Sequence, residues 1–199
     1  MAKRILLFGG TFDPPHLAHT QMVQTILDRQ LFDEVWYIPV GRHDTLFVKP
    51  GMGKVSDRLA MLKMVAIPHT KIETYEIDSG KTSFTHSTLR RLSQLYPESK
   101  FSWLMGSDQL AKLDLWDCAD EEKCFPKCAD EFDYYVYPRA GFPLILPFAN
   151  LKVIKDVEPM AVSSTAIRSK VKAGQSITQL VSPAVAAYIK EHHLYQSTD

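Results

Sequence analysis

The sequence has few cysteines, no surplus of either charge and no long apolar run. Its 3 cysteines all lie between Cys118 and Cys128. An odd, clustered set is a poor framework for disulfides, so we expect a reducing, cytoplasmic compartment. The cluster also lacks the paired C-x2-C spacing of zinc ribbons, so a loop or short helix with incidental thiols is favoured over a zinc site.

The charges balance, with 23 Lys and Arg against 23 Asp and Glu in 199 residues. Proteins that coat nucleic acid usually carry a basic surplus, so we expect no nucleic-acid partner; a local basic pocket for one phosphate-bearing small molecule stays open. The apolar part of residues 1–10 is too short for a signal peptide, and no run approaches the length of a membrane span, so we expect no membrane association. The length suits a single domain over residues 1–199, with a C-terminal helical part at about 163–199.

Short β-rich runs alternate with helical patterns along the chain. The runs predict strands at residues 4–8, 34–40, 71–77, 100–105, 132–137 and 151–154. The periodic segments predict a helix at 16–30, one capped by Ser56, one capped by Thr85 or Ser87, one from Ser163-Ser164 to near Gly174, and one capped by Ser182. This alternation predicts an α/β fold: a doubly wound parallel sheet with helices on both faces. Residues 41–54 and 118–131 fit no periodic pattern and are predicted to be loops or insertions.

The stretch GGTFDPPHLAH at residues 9–19 lies where the first predicted strand meets the first helix. In an open parallel sheet, ligands bind beyond the carboxyl ends of the strands, where such turns gather. Gly9 and Gly10 let the backbone approach a ligand closely, and Thr11 adds a hydroxyl donor. Because the first N–H groups of a helix favour an anion, the turn is a candidate phosphate site.

Two histidines close this stretch. His16 and His19 are three residues apart, so they share one face of a helix, and their imidazoles can donate hydrogen bonds to phosphate oxygens. Zinc is an alternative, but the zincin helix needs His-Glu-x-x-His, and here the spacing is shorter and no glutamate lies between the histidines. A glycine-rich turn with capping histidines and no ligand is the purely structural alternative.

Five segments carry a resemblance to known enzymes. GGTFDPPHLAH (9–19) is similar to the signature G-T-F-D-P-x-H-x-G-H of the HIGH-type nucleotidyltransferases, and VSSTAIRSKV (162–171) resembles the I-S-S-T-x-I-R block of the nicotinate-nucleotide adenylyltransferases. GSDQLAKLDLW (106–116), YPRAG (137–141) and LVSPAVAAYIKEHHLY (180–195) resemble further segments of that family, in the family's order. The first block alone indicates the superfamily, and the set narrows it to the nicotinate branch.

The resemblance implies a Rossmann-like nucleotidyltransferase fold and the joining of ATP to nicotinate mononucleotide, with release of pyrophosphate. The phosphate of the mononucleotide would attack the α-phosphorus of ATP in line, with no covalent enzyme intermediate. Catalysis would then consist of positioning and charge neutralisation. Mg²⁺ is expected to arrive through the triphosphate oxygens, so a paired-carboxylate metal site is not expected.

The resemblance also implies roles for individual residues. The catalytic residues would be His16, His19 and Arg168. ATP would be bound by Gly9, Gly10, Thr11, Phe12, His16, His19, Gly106, Asp108, Ser163, Ser164, Thr165 and Arg168. The mononucleotide would be bound by Thr11, Ser83, Phe84, Thr85 and Trp116. Within these sets, Arg168 would hold the leaving β- and γ-phosphates, and Trp116 would stack on the nicotinate ring.

The residues themselves support part of this assignment. Ser163, Ser164 and Thr165 stand at a predicted helix start, where hydroxyls and N–H groups can bind phosphate. Arg168 lies one turn later on the same face and can grip phosphate bidentately. An ordinary capped helix with an exposed arginine is the alternative. Asp108 follows a strand end, where carboxylates commonly bind ribose hydroxyls, and Trp116 could equally be a core residue.

The chain departs from the family pattern mainly on the mononucleotide side. Ala18 replaces the signature's glycine. The loop at 41–54 lacks the family's P-P-H-K, so Lys49 or Lys54 would have to serve instead, although Arg58 matches the family's downstream arginine. The family's S-Y-T-x-D-T-L is here SFTHSTL (83–89), with an aspartate lost. Nicotinamide mononucleotide or phosphopantetheine as acceptor, and a nucleotide-sensing module without turnover, therefore stay open, as does a homo-oligomer.

Overall fold

The computed structural model describes residues 2–42, 52–115, 130–149, 151–159 and 161–196. Within these ranges, six strands form one sheet: β1 (Lys3–Gly10), β2 (Glu34–Pro39), β3 (Thr70–Ile72), β4 (Ser99–Gly106), β5 (Asp133–Tyr137) and β6 (Leu151–Val153). Their order is β3-β2-β1-β4-β5-β6, and every neighbouring pair is parallel. The predicted doubly wound sheet is confirmed, and the strand order reverses between β1 and β4, where ligands bind in such folds.

The described ranges contain six α-helices with full bounds: α1 (Leu17–Asp28), α2 (Val55–Lys63), α3 (Tyr75–Asp78), α4 (Thr85–Leu95), α5 (Ser164–Lys172) and α6 (Pro183–Glu191); a 3-10 helix (Ser107–Leu115) follows β4. Ser163 caps α5 by accepting the Ala166 N–H, and Ser182 caps α6, as predicted. The predicted caps of α2 and α4 are wrong. α2 begins after Lys54, and α4 after Phe84, without a side-chain cap. None of the helices in the described ranges is long and apolar enough to cross a membrane.

The sheet separates two apolar cores. Along β1, Leu6 and Phe8 face one core, and Ile5 and Leu7 face the other. The first core lies under α1, α2, α5 and α6, and the second under α4 and the 3-10 helix. A strand covered on both faces must be apolar at every position, which is why the residues after Arg4, 5–8, form an unbroken buried run. Each fully buried leucine contributes about 1.5–3 kcal/mol.

The predicted strand at 71–77 is wrong from Glu73 onwards. β3 ends at Ile72, and the chain turns into α3. β3 is an edge strand with β2 as its partner, so little holds the backbone extended beyond this point. Local bonds favour the turn instead: Glu73 accepts the Tyr75 N–H at 3.1 Å, and Thr74 donates to Asp78 at 2.6 Å.

Several sequence predictions lie outside the described residues. They concern Lys49, Trp116 and the cluster Cys118, Cys124 and Cys128, together with most of the two predicted loops.

Candidate active site

A cleft of about 540 Å³ opens at the carboxyl ends of β1 and β4, where the strand order reverses. It is lined by all the predicted site residues that the structure describes: Gly9, Gly10, Thr11, Phe12, His16, His19, Ser83, Phe84, Thr85, Gly106, Asp108, Ser163, Ser164, Thr165 and Arg168. Segments far apart in the sequence thus meet in one place. The remaining predicted residue, Trp116, lies outside the described ranges.

The two glycines of the opening motif are required by aromatic packing. β1 continues through Gly10, so both glycines belong to the strand rather than to the turn that follows. A Cβ on Gly9 would lie 2.1 Å from Cζ2 of Trp103, and one on Gly10 would lie 3.0 Å from the ring of Phe12. The glycines line the cleft, but in this structure the side that a Cβ would occupy is filled by rings.

The turn after β1 is held by a buried arginine. Arg58 of α2 is fully buried and donates to the Thr11 carbonyl at 2.8 Å and to the Val40 carbonyl at 2.9 Å. Burial lowers the pKa of its guanidinium, while Asp13 and Tyr195 oppose that shift. Arg58 therefore fixes the loops after β1 and β2 relative to each other and does not line the cleft.

His16 and His19 form a stacked pair at the start of α1. His16 is the N-cap residue, and the two rings lie 3.6 Å apart at an angle of 18°. The His16 backbone N–H donates to Nδ1 of His19 at 3.2 Å. A neutral His19 then carries its proton on Nε2. Burial, with the nearby charge of Arg139, lowers the pKa of His16 to about 3, so this imidazole is neutral at pH 7.

An ion pair forms the opposite wall of the cleft. Arg139 donates to Asp108 at 3.0 Å and to the Val162 carbonyl at 3.2 Å, and its backbone N–H donates to the Ser107 hydroxyl at 2.9 Å. A Cβ on Gly106 would lie 2.3 Å from Oδ1 of Asp108, so only glycine admits this arrangement. Arg139 thus joins the loop after β4 to the segment leading into α5.

Arg139 was missed as a site residue by the sequence reasoning. The motif YPRAG could have indicated it, because its arginine follows directly after a strand end and a proline. Lys112 of the 3-10 helix also lines the cleft and was not predicted. Lys54, one of the two lysines that could replace the family's lysine, is exposed just before α2 and is not among the described residues that line the cleft.

The start of α5 is fastened to the motif of the first turn. Ser164 donates to the Pro14 carbonyl at 3.0 Å, and Nη1 of Arg168 donates to the Asp13 carbonyl at 2.8 Å. Nη2 of Arg168 lies 3.4 Å from the Thr165 hydroxyl. The N-termini of α1 and α5, both favourable for anions, therefore face the same cleft.

The segment before α4 forms the third side of the cleft, with a buried glutamate behind it. Ser83, Phe84 and Thr85 line the cleft together with Glu76. Glu76 accepts the Thr88 hydroxyl at 2.8 Å. Burial raises the pKa of its carboxyl, and the hydrogen bond from Thr88 opposes the rise. Glu76 lay in the segment predicted as a strand, and no sequence signal assigned it to the site.

A second cavity of about 390 Å³ adjoins the cleft. The two share His16, Tyr137 and Arg139. The second cavity lies between α1, where Ala18 and Met22 line it, and the segment before α5 that includes Val157 and Val162. Ala18, the residue that departs from the glycine of the signature, thus has its methyl group at the wall of a cavity beside the histidine pair.

The zinc alternative finds no set of ligands. In the part of the chain that the structure describes, no three His, Cys, Asp or Glu side chains come together to hold a metal. Nδ1 of His19 accepts the His16 backbone N–H, which points this nitrogen away from a ligand role.

The class of the protein follows from comparison with known families. A family profile described as Cytidylyltransferase-like matches residues 7–170. Two relatives are both described as "Probable nicotinate-nucleotide adenylyltransferase". One, from Lactiplantibacillus plantarum, is 34% identical over 99% of this chain and 90% of its own length, and the other, from Salinibacter ruber, is 35% identical over 97% of this chain and 98% of its own length. The chain therefore belongs to the cytidylyltransferase-like nucleotidyltransferases and, within them, to the nicotinate-nucleotide adenylyltransferase family.

Solved structures agree on the fold. The nicotinic acid mononucleotide adenylyltransferase of Plasmodium falciparum, complexed with APC, superposes with a TM-score of 0.77 over 97% of both chains at 20% identity. The same enzyme complexed with NaAD superposes with a TM-score of 0.75. At this identity the match bears on the architecture alone.

Proposed function

We propose that this protein transfers the adenylyl group of ATP to nicotinate mononucleotide, giving nicotinate adenine dinucleotide and pyrophosphate. The observation that carries the proposal is the meeting of the histidine pair with Arg168 in one cleft at the switch point of the sheet. Family membership supplies the reaction class, and the walls of the cleft offer a place for each half of the product. Residues 1–199 would act as a single nucleotidyltransferase domain.

ATP would lie across the two helix N-termini. The triphosphate would meet the start of α1 on one side and the start of α5, with Arg168, on the other. Asp108 would accept hydrogen bonds from ribose hydroxyls. The second cavity, bounded by Ala18 and Val157, would receive the adenine ring.

The mononucleotide would enter from the side of residues 83–85. The first N–H groups of α4 have no partner within the helix and would receive the nicotinate carboxylate. Trp116 would stack on the ring, as the family resemblance implies. The phosphate of the mononucleotide would then point towards the histidine pair, close to the triphosphate.

The reaction needs no nucleophile from the protein. An oxygen of the mononucleotide phosphate attacks the α-phosphorus of ATP, and the bond from that phosphorus to the bridging oxygen breaks, releasing pyrophosphate. His19 would donate from Nε2 to a phosphate oxygen as charge shifts onto the leaving group, and His16 would line the same phosphates. Arg168 would bind the departing pyrophosphate. The gain over the uncatalysed reaction would come from alignment and charge stabilisation.

Mg²⁺ would enter with ATP. The carboxylates beside the described cleft are already engaged, Asp108 by Arg139 and Glu76 by Thr88, which fits a metal bound through phosphate oxygens rather than by the protein. When bound, the ion supplies neutralisation of phosphate charge.

The test is an acceptor panel. Pyrophosphate release is measured with Mg-ATP and, separately, nicotinate mononucleotide, nicotinamide mononucleotide and phosphopantetheine. We expect release with the nicotinate form and far less with the others. A preference for another acceptor would keep the chemistry and overturn the substrate. ATP binding without release for any acceptor would indicate the nucleotide-sensing module.

A further inference from the structure

The segment after α6 reaches back to the first turn of the site. Tyr195 donates its hydroxyl to Oδ1 of Asp13 at 2.6 Å, across 182 sequence positions. The chain reverses to do so: the Leu194 N–H bonds to the Ile189 carbonyl, and His193 and Tyr195 both have positive φ. Tyr195 lines neither cavity. Its hydrogen bond to Asp13 links it to the turn after β1, whose residues Thr11 and Phe12 do line the cleft.

Asp13 is a buried junction between four parts of the molecule. It is 1% exposed. Oδ2 accepts the Gly53 N–H at 2.9 Å, at the end of the loop that precedes α2. Its backbone carbonyl accepts Nη1 of Arg168 at 2.8 Å, and the same nitrogen lies 4.0 Å from Oδ2. The carboxylate and the carbonyl of one residue thus bind Tyr195, the loop and the arginine of α5.

The hydroxyl of Tyr195 is a dependable donor to this carboxylate. Burial raises the pKa of Tyr195, and the adjacent Asp13 charge raises it further, so the hydroxyl keeps its proton at any physiological pH. A buried carboxylate without enough donors is costly, and a hydrogen bond to a charged group is among the stronger ones. Loss of the hydroxyl would leave Asp13 to rearrange towards its remaining partners, Arg168 among them.

We propose that Tyr195 is a positioning residue for adenylyl transfer, which by holding the Asp13 carboxylate keeps Arg168 aligned on the phosphates of ATP. This inference rests on the proposed function, because it takes Arg168 to bind the leaving pyrophosphate. Tyr195 touches no substrate. It sets the geometry of a turn whose carbonyl fixes one arm of the arginine, and sub-ångström changes at such a point reduce rates strongly.

The test compares Tyr195→Phe with a matched control, Tyr188→Phe. The Tyr188 hydroxyl also donates to an aspartate, Asp57 of α2, at 3.0 Å, but outside both cavities. Each variant removes one hydroxyl and keeps the ring packed. We expect Tyr195→Phe to lower kcat/KM for ATP about tenfold, with KM for the mononucleotide within about twofold of wild type, and Tyr188→Phe to change neither.

A double-mutant cycle shows whether the effect passes through Arg168. In an Arg168→Ala background, Tyr195→Phe is expected to lower the rate by less than about twofold further, because the group that it positions is gone. A full tenfold loss in that background, or equal activity of Tyr195→Phe and Tyr188→Phe, would overturn the proposal. A lowered unfolding midpoint with unchanged kinetics would do the same, since it assigns Tyr195 to stability alone.

Binding of an α,β-methylene ATP analogue separates this proposal from the proposed function. Its Kd needs no acceptor and no turnover. If wild-type protein gave no pyrophosphate with nicotinate mononucleotide, the proposed function would fail, but a several-fold weaker Kd in Tyr195→Phe than in Tyr188→Phe would still support positioning. If Tyr195→Phe and Tyr188→Phe have equal Kd values for the analogue and also equal turnover rates, the positioning role of Tyr195 is contradicted.

Discussion

The rings of His16 and His19 stack 3.6 Å apart, and the backbone N–H of the first donates to Nδ1 of the second. A stack this close is unfavourable when both rings are charged. Burial keeps His16 neutral in the folded chain, with a pKa of about 3 against 6.5 for the free side chain. The pair can therefore offer N–H donors to phosphate at neutral pH without repelling each other.

This burial predicts an acid-sensitive fold. Between about pH 6.5 and pH 3 the unfolded chain binds a proton at His16 that the folded chain does not, so stability falls as pH falls, by about 1.4 kcal/mol per pH unit from this residue. The free energy of unfolding, measured with urea from pH 7 to pH 4, should fall less steeply with pH in His16→Asn than in wild type. His193→Asn, at an exposed position, should keep the wild-type slope. Equal slopes for all three proteins would refute the buried neutral histidine.

Gly9→Ala should destabilise the fold by about 1–3 kcal/mol, because its Cβ would meet the Trp103 ring at 2.1 Å. Gly10→Ala, with its nearest contact at 3.0 Å on Phe12, should be milder. Denaturant midpoints measure both. If the ring is the cause, Gly9→Ala should cost less in a Trp103→Leu background than in wild type; an equal cost in the two backgrounds would contradict it.

Arg139→Gln should raise KM for ATP about tenfold or more, since it frees Asp108 and releases the backbone before α5 at Val162. Steady-state kinetics with varied ATP give the value. Arg4→Gln is the matched control, because it breaks an arginine–aspartate pair with Asp33 that is largely exposed. A KM for ATP that is the same in the two variants would show that the Arg139 bridge does not shape the ATP side.

Ala18→Leu should fill part of the second cavity. If adenine binds there, KM for ATP should rise about tenfold while KM for the mononucleotide stays within about twofold of wild type. The second substrate is the internal control, because it would bind on the far side of the cleft. An equal rise for both substrates would indicate a distorted α1 rather than a blocked adenine site.

The sequence predicted most of the architecture for a clear physical reason. Buried parallel strands must be apolar on both faces, so the apolar run of β1 identifies it as a strand. Ser163 and Ser182 cap their helices through local bonds, which the sequence also predicts. The turn at α3 was missed because β3 is an edge strand, and the bonds from Tyr75 to Glu73 and from Thr74 to Asp78 favour the turn over the strand pattern.

The sequence motifs predicted the main residues of the candidate site, whereas contacts between residues far apart in the sequence could not be predicted from them. Every predicted site residue that the structure describes lines the cleft, but Glu76, Lys112 and Arg139 also line it and were not predicted. The Asp108–Arg139 bridge depends on space left by Gly106, which spacing alone does not show. The Asp13–Tyr195 bond joins the two ends of the described chain, and no local pattern encodes it. The stacking of Trp116 on the nicotinate ring and the location of the protein in the cytoplasm stay predictions.

The most direct test of the account is the stoichiometry of the products. Purified protein is incubated with Mg-ATP and nicotinate mononucleotide, and pyrophosphate and dinucleotide are quantified together for wild type, His19→Ala and Arg168→Ala. The account predicts one dinucleotide per pyrophosphate in wild type, and rates lowered at least about a hundredfold in each variant, with folding retained. Dinucleotide formed at the wild-type rate by both variants, or pyrophosphate released without dinucleotide, would contradict it.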